Sequence, residues 1–87
     1  MLEFIFDKNK SLTNQNKHGI DFTEAQLLWE DVDRIIIPAK VIDELRFIII
    51  GKIKNKHWSA IFTIRDDKIR IISVRNSRTE EIRIYES

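Results

Sequence analysis

Between Arg34 and Arg75 the chain carries four β-rich runs in succession, joined only by short loops. The first, Arg34–Ile37, stops at Pro38, and the second, Leu45–Ile50, is bounded by Gly51. Gly51–Lys56 forms a polar turn, His57–Ile64 makes the third run, Asp66-Asp67 turns the chain, and Ile69–Arg75 returns it. Strands linked this closely pair antiparallel, because a parallel crossover needs a dozen or more residues. One antiparallel sheet is therefore the frame on which the rest of the chain must pack.

The flanking segments read as helices, with one short strand, Leu2–Phe6, at the start. Asp7 offers an N-cap oxygen to a polar helix over Lys8–Lys17, and His18-Gly19 ends it with a cation and a residue free to turn left-handed. Asp21-Phe22-Thr23-Glu24 has the capping-box pattern and opens a second helix. That helix sets Phe22, Ala25, Leu28 and Trp29 on one apolar face, a core face. Ser77-x-x-Glu80 opens a third helix that runs to about Tyr85. The expected fold is α+β: a small antiparallel sheet with two N-terminal helices and one C-terminal helix. At 87 residues, the span 1–87 makes a single domain.

Composition removes several function classes. There is no cysteine, so disulfides, thiolate zinc sites and thiol chemistry are excluded. Two glycines cannot build a phosphate loop. His18 and His57 are the only imidazoles and are not spaced as a local metal-binding pair. No signal peptide opens the chain, and its longest apolar run is Phe47–Ile50, so a cytoplasmic protein with no membrane span is expected.

The net charge of +1 hides an uneven distribution. Asp21–Asp33 holds acids and no base, and Arg46–Lys56 holds bases and no acid. The acidic stretch suits a basic arm of a protein partner. The basic stretches suit an anion. On a regular strand Arg70 and Arg75 point to opposite faces, so only a bulge lets both meet one ligand. Arg78 follows at the start of the last helix, where a cation implies an anion nearby. Lys10, Asn14, Lys17 and His18 recur at helical spacing on one polar stripe, a plausible phosphate surface.

Three stretches resemble a known family. They are Phe6-Asp7-x-x-Lys10-x-x-x-Asn14-x-x-Lys17-His18-Gly19-Ile20-x-Phe22-x-x-Ala25, then Arg46-Phe47-x-x-x-Gly51, then Thr63-x-Arg65 with Ile69-Arg70-Ile71-Ile72-Ser73-x-Arg75 and Glu81-x-x-x-Tyr85. The sequence is similar to the BrnT ribonuclease toxins of type II toxin–antitoxin systems, and departs from their pattern at Ile64, Arg78 and the Lys52–Lys56 turn. The resemblance implies a fold like that of the RelE toxins, with helices on a curved antiparallel sheet. It implies a metal-free, cofactor-free endoribonuclease that cleaves RNA and inhibits translation. It also implies a ribbon-helix-helix antitoxin (BrnA-like) that neutralises the toxin and alone carries it to operator DNA.

Such a nuclease needs an acid/base group and a charge clamp on the phosphate. His18 is the acid/base candidate, since imidazole titrates near neutral pH. Arg65 and Arg75 are assigned the scissile phosphate, with Lys17 in support. Glu81 and Tyr85, at i and i+4, share a helix face and orient the site. Lys10, Arg70 and Arg78 complete the candidate RNA surface. The alternative is a non-catalytic module that binds an antitoxin or nucleic acid.

Overall fold

In a computed structural model, residues 1–39 and 43–87 are described. Five strands form one sheet: β1 (Phe4–Ile5), β2 (Ile35–Ala39), β3 (Arg46–Ile53), β4 (Lys56–Arg65) and β5 (Lys68–Asn76). The helices are α1 (Lys8–His18), α2 (Phe22–Ala25) and α3 (Thr79–Glu86), with a 3-10 helix over Gln26–Glu30. The sheet order is β1-β5-β4-β3-β2.

The four central strands pair antiparallel as expected. The hairpin turns are Lys54-Asn55 and Asp66-Asp67, all four residues with positive φ. Paired positive φ values in a two-residue loop match the right-handed twist of the strands they join. Because that turn needs only two residues, β3 runs on through Gly51 to Ile53 instead of stopping at Gly51. Gly51 is instead a point of close approach. A Cβ there would lie 3.1 Å from Leu28 Cδ2 and 3.2 Å from Asp31 Oδ2.

Two expectations are corrected. The sheet is mixed, not purely antiparallel: β1 lies parallel to β5, with Phe4 opposite Ile69 and Ile5 opposite Arg70. The second N-terminal helix is only one α-turn before it tightens into the 3-10 helix. Phe22, Ala25 and Leu28 recur every three residues, and a helix of three residues per turn brings them into line.

The sheet has a helix layer on each face. On the first, α2 and the 3-10 helix close the core: Phe22, Ala25, Leu28 and Trp29 meet Ile49, Trp58, Phe62, Ile71 and Val74. Trp29 sits edge-on to both Phe4 and Phe62, with ring centroids 5.0 and 5.1 Å away. The second face carries α3, whose Glu81 reaches Ser59 on β4 and Arg75 on β5.

One irregularity sets the geometry of that second face. Ile61 opposes Ser73, and the next residue, Phe62, opposes Ile71, so Ile72 is an extra residue in β5. This bulge resets the alternation. Ile69, Ile71 and Val74 all point into the core. Arg70 and Arg75 both point away from it, opposite Thr63 and Ser59, which share a face of β4.

Candidate active site

The sequence-derived site residues fall into three places. Arg75 and Glu81 are brought together at the start of α3. Nη1 and Nη2 of Arg75 donate to Oε1 and Oε2 of Glu81 at 2.8 and 2.9 Å. Glu81 Oε1 also accepts the Arg78 backbone N–H (2.8 Å) and the Ser59 hydroxyl (2.9 Å). With its proton spent on Glu81, Ser59 accepts the hydrogen bond from Ser77 Oγ at 2.8 Å. The expected Ser77–Glu80 capping box is therefore displaced by one residue. Arg78 is the N-cap, and Glu81 closes back on its N–H.

Glu81 occupies the position that an external anion was expected to fill. The Arg75 guanidinium beside it holds its carboxyl down at about 2, against the opposing effect of burial, with help from the Arg78 N–H and Ser59. Such a carboxylate stays ionised and is a poor proton acceptor near neutral pH. Its role is to orient Arg75. The ion pair in turn raises the Arg75 pKa. A guanidinium has five N–H bonds. Two go to Glu81 and one, from Nη1, to Asn76 O at 3.3 Å. Among the described residues the Nε–H and one Nη2–H have no partner, and they lie side by side on one edge of a side chain that is 21% exposed.

Tyr85 is one turn further along α3 and serves another purpose. Its hydroxyl donates to Asp31 Oδ2 at 2.6 Å. The same oxygen accepts the Lys52 N–H at 2.8 Å. Burial pushes the phenol well above its ordinary range, and Asp31 adds to the shift. Burial alone would raise the Asp31 carboxyl, but the bonds from Tyr85, Lys52 and Asp33 outweigh it and hold the group low. Glu86 reaches His57 Nε2 at 2.7 Å, which lowers the Glu86 carboxyl. α3 is thus held to the sheet at both ends by polar contacts. Asp31 and Ser59 escaped the sequence reading. Ser59 had a signal, as a lone hydroxyl in the apolar run Trp58–Phe62; Asp31 had none beyond ending a helix.

Arg70 and Arg65 share the sheet face with Arg75 but not its neighbourhood. Their ladder positions lie four and six residues from Ser59 along β4, about 13 and 20 Å away. Arg65 and Arg75 therefore cannot clamp one phosphate. Arg65 lies 3.9 Å from Glu44.

The third place is α1. Asn14 does not belong to a phosphate surface: it is buried, with its amide bracketing Val74. α1 begins beside the end of β1, at the level of Arg70, and reaches Val74 at Asn14. It therefore runs in the sense of β5, and its last turn, with Lys17 and His18, lies toward the Asn76 end where α3 begins. Lys10 is exposed one helix length back. Among the described residues, His18 makes no side-chain hydrogen bond or ion pair, and no group of three His, Cys, Asp or Glu is placed to hold a metal ion.

Residues 6–81 match the family model described as the ribonuclease toxin BrnT of type II toxin–antitoxin systems. The chain belongs to the BrnT family. It is thus an endoribonuclease toxin whose system includes a cognate antitoxin. No curated protein matches the chain. The match ends at Glu81, so it takes in His18, Arg65, Arg75 and the Arg75–Glu81 pair but not Tyr85. Among the described residues no helix is long and apolar enough to cross a membrane.

Proposed function

We propose that this BrnT chain, on a RelE-like fold, cleaves RNA without a metal or cofactor, using the 2′-hydroxyl as nucleophile and Arg75 as the phosphate clamp. The observation that carries this reading is the free Nε–Nη2 edge of Arg75, held in a fixed plane by Glu81. A guanidinium edge of that kind meets two phosphate oxygens at once. It also opposes the charge that grows on the phosphorane. His18 is the proton-transfer group, and Lys17 supplies further positive charge from the end of α1. Glu81 is a positioning residue for Arg75, and Tyr85 positions α3. RNA cleavage inhibits translation. A ribbon-helix-helix antitoxin neutralises the toxin and alone brings it to operator DNA.

Cleavage of a labelled RNA by the antitoxin-free protein tests the assignment. Arg75→Lys keeps the charge but loses the fork, and kcat falls about 10²-fold or more. His18→Ala lowers kcat by about 10²- to 10⁴-fold. A His18→Ala protein with wild-type cleavage ends the acid/base assignment. Cleavage persists in EDTA, and its complete loss there overturns the metal-independent reading.

A further inference from the structure

Among the described residues, the second face of the sheet is only partly covered. At about 1.5 Å per residue the eight residues of α3 span roughly 12 Å, enough to cross two or three strands. α3 touches Arg75, Ser59, His57 and Lys52, all at one end of the strands. Where that cover ends is visible in Ile50, which is 0% exposed, while Ile48, two residues further along the same face, is partly exposed.

Beyond α3 the face presents two rows. Ile37, Ile48 and Ile61 are direct partners across β2, β3 and β4, and all three are partly exposed. The next row is Arg46, Thr63 and Arg70. Thr63 is buried, and its hydroxyl is spent on Leu45 O at 2.6 Å, so the row presents two guanidinium groups and no free hydroxyl. Glu44 is the acid paired with Arg46, at 2.9 Å, and Arg70 has no ion pair among the described residues.

We infer that these two rows are the docking surface for the cognate antitoxin, which presents an acidic amphipathic segment to them. The inference rests on membership of a type II system, in which the antitoxin is a protein. RNA bases stack on aromatic platforms. The exposed row here is aliphatic, and the rings of Phe47, Trp58 and Phe62 belong to the opposite face. An amphipathic segment fits instead: its apolar side covers the isoleucines, and its carboxylates meet Arg46 and Arg70. The docking row lies along β4 from Arg75, so the segment neutralises the toxin by covering the approach to that arginine.

Binding of the purified antitoxin, by calorimetry, and RNA cleavage by the antitoxin-free chain are measured together on Ile48→Glu and Arg46→Glu. Ile48→Glu weakens the complex at least 100-fold. Arg46→Glu weakens it about tenfold and flattens its salt dependence. Both retain wild-type cleavage. Should Ile48→Glu fail to fold by circular dichroism, Arg46→Glu at the rim carries the test alone. A wild-type complex that survives both substitutions overturns the inference. So does lost cleavage with the complex intact, which makes the rows an RNA surface. A wild-type chain that forms no complex overturns the type II reading and the inference with it.

Discussion

Asn14 shows how a helix with one large apolar side chain is docked. The apolar residue of α1, Leu12, is 64% exposed, and Ser11 and Asn14 are buried in its place. Asn14 Nδ2 donates to the carbonyls of Ile20 and Val74 at 2.9 Å each, and its Oδ1 accepts the Val74 N–H at 3.1 Å. β1 covers β5 only at Ile69 and Arg70, so beyond them the outer edge of β5 has no strand among the described residues. One carboxamide stands in for that strand at Val74. Asn14→Ala leaves a buried N–H and two carbonyls without partners, and urea denaturation is expected to show a loss of about 2–4 kcal/mol. Helical spacing had put Asn14 on a polar stripe with Lys10, Lys17 and His18. The stripe exists, but its middle faces the sheet, because a helix can bury a polar side chain that satisfies backbone groups.

Among the elements, the bulge in β5 decides more than any helix. Were Ile72 paired like its neighbours, alternation would carry Arg75 into the core side and Val74 toward α3. Deleting Ile72 removes the extra residue and leaves a regular ladder in which Ser73, Val74 and Arg75 keep Ile61, Ala60 and Ser59 as partners, so the deletion variant is expected to retain RNA cleavage. Lost cleavage in a folded deletion variant would show that the local bend and twist of the bulge, beyond the choice of face, aim Arg75. Hairpins and turn residues were legible because positive-φ positions favour Asn and Asp locally. The bulge was legible only as a condition on Arg70 and Arg75. Neither Ile71 nor Ile72 differs in a way that marks which is the extra one.

For the whole molecule, the ion pair at the start of α3 links stability to acid. Glu81 has a carboxyl near 2 in the fold, against 4.5 when unpaired. The unfolded chain thus binds more protons between those values, and stability falls as pH drops. Its contribution is fully present above about pH 5, lost through about pH 2, and amounts to ~2–3 kcal/mol. Denaturation midpoints at pH 7, 4 and 3 check this: Glu81→Gln flattens the fall, leaving the smaller part that Asp31 adds in the same direction. The α+β class, the order of elements, the hairpins and the core face of Phe22, Ala25, Leu28 and Trp29 were all determined by sequence alone. Each rests on periodicity, capping or turn chemistry within a few residues. The parallel seat of β1, the edge bracket of Asn14 on Val74, the shared face of Arg70 and Arg75, and the separation of Arg65 from Arg75 were decided only in the tertiary structure. These depend on contacts about 60 residues apart or on a one-residue shift in register, and no local spacing encodes either.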